Sequence, residues 1–492
     1  MKINNSLYLP IIVSFIFLTS SQNTHQEKPN TNANTVIICG TIEGGGKMDT
    51  VTLSFKKEFI YNNIGTQNLT VPCGDQGAFC FRLPVSHVAM ATLFLNTTKP
   101  FMVYRYIEPG DSIYCLVKRS GNNFWVKYSG PGAQKLNCMD ALDNKRKELN
   151  TRLISKKPFT LVSQDPAINR LANFIQRSDE DAIELLAVLE SYRTKISHQM
   201  KEVLKADILG ESGRAKCSLV FYALQTADPK QREEIKRLFF SRVYWKNSSL
   251  SRFAAYSENY IEFLYRRCQR QIELQGLSGK YSMQELYSLL AKEYRGLIRD
   301  RVITSYLLRG HTGVSNKELE WCLRKAVTIL VTPIYRDCLE NQLNRISTGV
   351  PAYDFSLPGP DGKLVSLHSL KGKVVLMDFW FTGCSACKDL AASLEHDVVK
   401  LYTDSPVAFV SICLDKDKDK WLKSLEKGGY STNNSLNLFT QGMAFNHPIA
   451  GYYKISGCPF LLIIDKEGNI FSARPPREPQ ELCNELNKAL RK

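Results

Sequence analysis

The chain has 492 residues, too many for a single hydrophobic core, and 43% of them are apolar, so two to four globular domains are expected. Its formal net charge of +16 arises from 64 Lys and Arg interleaved with 48 acids. With no long single-sign block, that excess reads as bulk surface charge and not as a nucleic-acid site.

Met1 to Ser21 carry Lys2, an apolar stretch from Leu7 to Leu18, and then Thr19, Ser20 and Ser21, which is the order of a secretory signal. The stretch falls well short of the roughly 20 apolar residues that cross a bilayer, so cleavage is expected, with an uncleaved N-terminal anchor as the alternative. No cysteine follows it to carry a lipid, and no other segment reads as a span. The expected location is the periplasm or cell envelope. Gln22 to Asn34 is polar and aperiodic, a flexible leader.

Residues 35–130 give short alternating runs, such as Val51 to Phe55 and Phe79 to Leu83, separated by Gly, Asn and Asp. This predicts a small β-sandwich or barrel. From 131 to 347 turn residues become sparse and the apolar period becomes helical, as in Leu286, Leu289, Leu290, Leu297, Ile298 and Val302, behind a capping box of Ser282 and Glu285. A middle all-α domain is expected there, with Arg266, Arg267 and Arg270 on a solvated helix face.

Export permits disulfides, yet 14 cysteines are spread through a large chain. Cys39, Cys115, Cys217, Cys268, Cys322, Cys338, Cys413 and Cys483 sit in apolar or amphipathic contexts and read as buried small side chains. Cys73 and Cys80 flank a Gly-containing turn and form a candidate pair.

Residues 348–492 alternate strands with helices, the pattern of a mostly parallel α/β sheet. A hairpin is expected around Pro358 to Gly362. Val374 to Phe381 is a nearly continuous apolar run suited to a central strand. Directly after it come Thr382-Gly383-Cys384-Ser385-Ala386-Cys387, then a helix with Leu390, Leu394, Val398 and Leu401 on one face. Cys384 falls at the strand-to-helix junction, where free N–H groups and the helix dipole favour a thiolate. Cysteines so placed in C-x-x-C motifs have pKa values lowered from about 8.5 to roughly 3.5–7.5. Cys384 is the expected nucleophile. Cys387, one turn on and in the buried stripe, is the expected resolving thiol. Asp378, inside a strand buried on both faces, needs a task or a partner. It is read as a proton relay to Cys387, or as a carboxylate bonded to backbone. A zinc site is disfavoured, since no second C-x-x-C or His pair follows.

Asp378-Phe379-Trp380 followed by the C-x-x-C resembles the thioredoxin superfamily, and the segment from Gly349 onward resembles its TlpA/ResA-like envelope branch, with flanks shared by AhpC/TSA-like peroxiredoxins. The matching stretches are Pro351 to Phe355, Leu367 to Lys373, Asp378 to Cys387, and Tyr453 to Phe460 followed by Leu461 to Asp465 and Gly468. The resemblance implies a C-terminal α/β thioredoxin fold and a cis peptide at Pro459 facing the cysteine pair. It also places Trp380, Gly383 and Cys458 at the substrate surface, Cys458 being either a third thiol or a packed side chain. It implies no cofactor beyond a redox-active Cys384–Cys387 disulfide, and no metal. The implied partners are envelope proteins with thiols or disulfides, cytochrome c maturation components among them, and a membrane thiol electron donor.

Gly383 replaces the usual Trp before the first cysteine, Ser385-Ala386 replaces Gly-Pro, and Leu390 stands where this branch often has an acid, which puts more weight on Asp378. The N-terminal segment, with Gly40-Thr41-Ile42, Glu108 to Asp111 and Tyr128 to Gly130, resembles the β-rich domain that precedes thioredoxin domains in Bacteroidota envelope proteins. The expected function is therefore that of an exported thiol-disulfide oxidoreductase acting as a reductase. One alternative is a peroxiredoxin-like antioxidant. Against it, Thr382 is two residues before Cys384 instead of three, and Met377 occupies the place of the expected Pro. The other alternative is a non-catalytic interaction protein, against which Asp378, both cysteines and Pro459 occur together.

Overall fold

The computed structural model describes residues 34–56, 66–121, 123–155, 166–244, 251–276, 281–309, 314–453, 455 and 457–492. The expected signal, and all of the expected leader except its last residue, lie outside them. Among the described residues no helix is long and apolar enough to cross a membrane.

Strands β1 (Thr35–Ile42), β2 (Thr50–Lys56), β3 (Thr66–Pro72), β4 (Ala78–Pro84), β5 (Ala89–Leu95), β6 (Lys99–Ile107), β7 (Ser112–Ser120) and β8 (Asn123–Ser129) form two four-stranded sheets, ordered β4-β1-β7-β8 and β3-β2-β5-β6. The period of two in the sequence sorts their faces. Strand β4 buries Phe79, Phe81 and Leu83 and exposes Ala78, Cys80 and Arg82. Val36, Ile38 and Phe81 of one sheet share a buried apolar cluster with Val51, Leu53 and Leu93 of the other.

The Glu108 to Asp111 turn works as a clasp. The Asp111 carbonyl accepts the Ile37 N–H at 2.8 Å. Its carboxylate accepts the Glu108 N–H at 2.7 Å and Lys135 Nζ at 2.6 Å. Lys135, 3% exposed, lies on the first helix, so it ties that helix to the sheet.

Two cysteine readings are corrected here. Cys39 is not a packed small side chain, and Cys80 does not pair with Cys73. Cys39 and Cys80 stand directly opposite in the β1–β4 register and are joined as a disulfide. Alternation turns both to the outer face, whereas Cys73, just past β3, is a free thiol in the core. Cys115, Cys217, Cys268, Cys322, Cys413 and Cys483 are buried free thiols, and Cys338 is half-buried.

The helices of the middle block are α1 (Ala133–Ser155), α2 (Pro166–Glu190), α3 (His198–Thr226), α4 (Pro229–Leu238), α5 (Glu258–Gln275), α6 (Met283–Glu293), α7 (Gly296–Leu307), α8 (Asn316–Ile329) and α9 (Pro333–Ile346). Helices α3 and α5 meet at Gly210 and Gly213, where a Cβ would strike the Tyr260 backbone and the Phe263 ring. The Ser282–Glu285 capping box is present, with reciprocal bonds of 3.1 and 2.6 Å. The apolar run behind it is two helices, because Tyr294 and Arg295 are extended.

Arg267 and Arg270 are each 3% exposed, which corrects the solvated-face reading. Aromatic rings supply planar partners for the guanidinium groups. Arg267 lies over Tyr244 and donates to the Tyr294 hydroxyl at 2.8 Å, while Arg270 lies over Phe221 and pairs with Glu273 at 2.8 Å.

After the hairpin β9 (Ser356–Pro358) and β10 (Leu364–Ser366) comes a five-stranded sheet, ordered β13-β12-β11-β14-β15. Its strands are β11 (Val374–Trp380), β12 (Val407–Cys413), β13 (Leu436–Phe439), β14 (Phe460–Ile464) and β15 (Ile470–Ser472), with helices α10 (Ser385–Ser393), α11 (Lys418–Lys427), α12 (Pro448–Tyr453) and α13 (Pro479–Arg491). The sheet is mixed instead of mostly parallel: β11 runs parallel to β12 but antiparallel to β14. Strand β11 is central and covered on both faces. Val374 and Leu376 pack with Leu390, Leu394 and Leu486. Val375, Met377 and Phe379 join the cluster that also holds Leu339 and Ile346 of α9.

Candidate active site

Strand β11 delivers the chain to the site, and Gly383, at φ +104°, makes the turn into α10. That backbone region suits glycine. Cys384 is the N-cap of α10, and its Sγ accepts the Cys387 N–H at 3.2 Å. The two sulfurs form a disulfide with Cα atoms 5.3 Å apart. Cys384 is 7% exposed and Cys387 3%, so both are buried, Cys384 slightly less.

Two residues of the surrounding fold, Asp415 and Tyr430, hold the loop. Thr382 donates through its N–H and hydroxyl to the carboxylate of Asp415, at 3.1 and 2.5 Å. The Gly383 N–H donates to the Tyr430 hydroxyl at 2.8 Å. Tyr430 in turn stacks on Trp380, centroids 4.8 Å apart and planes 7° off parallel. Trp380 is wholly buried, so its expected place at the substrate surface is corrected: it is the platform beneath Tyr430. Sequence reasoning missed Asp415 and Tyr430. Asp415 did carry a signal, an acid just past the carboxyl end of a parallel strand, where sites in such sheets gather. Tyr430 carried none.

Asp378 faces the side of β11 that α10 covers, in a cleft lined by Cys387, Leu390, Ala391, Leu394, Tyr430, Ser431, Thr432 and Pro459. Leu390 thus supplies apolar wall where the resembling branch often has an acid. Burial pushes the Asp378 carboxyl up to about 7, opposed by a 3.1 Å bond from the Ser411 hydroxyl. A residue that alternation puts between two covered faces is thereby kept protonable near neutrality.

The Cys458–Pro459 peptide is cis. Pro459 lines the cleft with Asp378 and Cys387, and its carbonyl accepts from Arg477 at 2.5 Å. Cys458 is half-buried against the cluster of Trp380, Cys384, Cys387 and Cys413. Burial, with the nearby Asp378 charge, pushes its thiol up to about 12. The expected helix face is right at Leu390, Leu394 and Val398 but wrong at Leu401, which is 65% exposed. A π-helical turn over Leu394–Val398 slips the phase by one residue and buries Tyr402 instead. Among the described residues no group of three or more His, Cys, Asp or Glu side chains is arranged to hold a metal ion.

Residues 372–470 match a thioredoxin-like family profile. The thiol-disulfide oxidoreductase ResA of Bacillus subtilis (strain 168) is 28% identical over 128 residues, which is 25% of this chain and 65% of that protein. The thioredoxin-like protein YneN of the same organism is 28% identical over 126 residues, 25% of this chain and 69% of YneN. The chain therefore spans about two thirds of the length of these relatives, a little less for ResA. The thioredoxin domain of a thiol-disulfide oxidoreductase from Bacteroides vulgatus, solved by crystallography, is 28% identical and matches over 99% of its length and 30% of this chain, with a TM-score of 0.26.

Proposed function

We propose that this chain, whose C-terminal segment is TlpA/ResA-like, is an exported thiol-disulfide oxidoreductase that reduces protein disulfides in the cell envelope. The observation that carries the reading is Cys384 as a helix N-cap, its sulfur bonded to Cys387 and receiving a helix N–H, beside a cleft holding Asp378.

In the reduced state the Cys384 thiolate attacks one sulfur of a substrate disulfide and forms a mixed disulfide, and the other substrate sulfur leaves as a thiolate. Asp378, as the carboxylate, takes the proton from Cys387. The Cys387 thiolate then attacks Cys384 Sγ, which restores the intramolecular disulfide and releases the second substrate thiolate. Two electrons pass to the substrate, and two protons complete its thiols. Pro459 and the backbone at Cys458 border the groove in which an extended substrate lies, with the exposed Gly383 at its rim. A membrane thiol donor returns the electrons, and cytochrome c apoproteins are a candidate substrate class.

Under this reading the two N-terminal sheets are a β-sandwich spanning 35–130 and the helices form a block over 131–347. Together they hold the 348–492 enzyme domain in the envelope, delivered by the signal at 1–21 and the leader at 22–34. The test is Cys387→Ala: the variant should accumulate mixed disulfides through Cys384 with envelope proteins, identified by mass spectrometry. Failure to capture any, together with a Cys384 thiol titrating near the ordinary value of about 8.5, would overturn the reading.

A further inference from the structure

The Cys39–Cys80 disulfide is unlike the chain's other cysteines outside the C-terminal site. It lies on the outer face of its sheet, with Cys80 exposed on the edge strand β4 and Cys39 half-buried on β1. Exposed disulfides belong to the labile and exchangeable class. A sulfur on an edge strand has no neighbouring strand on one side, so an attacking thiolate can reach it along the S–S axis.

The surroundings are those of a contact surface. In register across the sheet, Tyr114 stands beside Cys39 and Leu116 beside Thr41, and Trp125 of β8 lies opposite Lys118. Tyr114, Leu116 and Trp125 are 42%, 36% and 54% exposed. Alternation puts all three on the face that carries the disulfide. Arg82 is exposed two residues along β4 from Cys80, on the same face of the sheet. The rim of the C-terminal site is apolar as well: Phe445 packs edge-on against Phe381 at 6.2 Å, and Met443 and Phe445 are 45% and 39% exposed.

We propose that Cys39–Cys80 is a second redox-active disulfide, reduced by the Cys384/Cys387 dithiol of another copy of this chain. The inference rests on the oxidoreductase reading above. The donor is taken from another copy because the two disulfides belong to separate apolar cores. The apolar cluster of strands β1–β8 takes in residues only as far as Tyr256, and the clusters holding the C-terminal sheet contain none of those strands.

The Cys384 thiolate attacks Cys80 Sγ, the S–S bond to Cys39 breaks, and Cys39 leaves as a thiolate. Cys387 then attacks Cys384 Sγ and frees Cys80. Two electrons have moved, the donor pair is oxidised, and Cys39 and Cys80 take up two protons. The N-terminal sheet thereby stores a second pair of electrons.

The test uses two full-length variants. The donor, Cys39→Ala/Cys80→Ala, is reduced with dithiothreitol and desalted. The recipient, Cys384→Ala/Cys387→Ala, is kept oxidised. They are mixed at micromolar concentration, and new thiols are read by alkylation and peptide mass spectrometry. Thiols should appear at Cys39 and Cys80 as two are lost from each donor, at least tenfold faster than with dithiothreitol at equal thiol concentration. Transfer no faster than dithiothreitol, from a donor that still reduces a small aromatic disulfide, overturns this inference and leaves the oxidoreductase reading intact. A donor that reduces neither overturns both. Should the donor variant fail to fold, Cys387→Ala alone decides: a Cys384–Cys80 linked peptide between chains supports the exchange, and its absence beside other captured proteins refutes it.

Discussion

Replacing Asp378 by Asn keeps the shape of the side chain and removes its titration. In the folded protein burial carries this carboxyl from 3.8 to about 7, while in the unfolded chain it returns to the ordinary value. Between those two values the folded state holds a proton that the unfolded state has lost, so stability falls as pH rises through that window and the loss is complete above about 7. At about 1.4 kcal/mol for each pH unit between the two values, the ceiling is roughly 4 kcal/mol. The residue is only half-buried, so solvent screening brings the expected cost nearer about 2 kcal/mol. The Asn variant avoids this cost. Its C-terminal unfolding transition should lie roughly 4–8 °C above wild type at pH 8, using the usual relation for a domain of about 150 residues, and the gap should close by pH 4. The same substitution should flatten the pH dependence of disulfide reduction near 7 and slow the resolving step. Melting the oxidised chain across pH 4–8, with single-turnover rates on a disulfide substrate, measures both. A gap independent of pH, or an unchanged rate profile, would refute the argument.

The clasp at Asp415 makes Asp415→Ala costly, because Thr382 loses its acceptor for a backbone N–H and a hydroxyl. A loss of about 1–3 kcal/mol in the C-terminal transition is expected, with faster alkylation of reduced Cys384 as its loop loosens. Lys135→Met should cost about 3–5 kcal/mol, since it strands the buried carboxylate of Asp111 beside the half-buried Glu108. Hydrogen exchange should then show early loss of protection in β1 and β7, and equal protection in wild type and variant would refute the clasp.

The parts of the fold that a local period encodes are the parts legible in sequence. The β11 run, the hairpin around Gly362, the capping box at Ser282 and the switch from strands to helices near residue 130 all follow from alternation, caps and turn residues. What failed needed information at long range. The partner of Cys80 is Cys39, 41 residues away, because the pairing is set by the β1–β4 register and not by the nearby turn. Arg267 and Arg270 look like surface residues in sequence, since the aromatic rings that shelter them come from distant parts of the chain. Leu401 falls off the expected face because a π turn leaves no mark in a helical apolar pattern. At the site, Cys384, Cys387, Asp378 and Pro459 each belong to a local motif, while Tyr430 reaches Gly383 from 47 positions away.

Under the proposed mechanism, the environment also explains why four neighbouring sulfurs would divide their work. Cys413 lies on β12 beside Trp380 and Cys458 precedes the cis peptide, and both join the cluster around the disulfide. Burial pushes Cys413 upward, and Cys458 up to about 12, so near neutral pH both are held as thiols with almost no thiolate to attack with. Cys384 has the opposite surroundings, at a helix N-terminus with an N–H aimed at its sulfur. Cys387 is buried, but Asp378 opens onto the same cleft and titrates near neutrality. A proton acceptor matched to the working pH is what a buried thiol needs to become a nucleophile on demand. Proximity makes four cysteines candidates for exchange, and the proposed mechanism assigns it to the two with a means of stabilising or removing the proton.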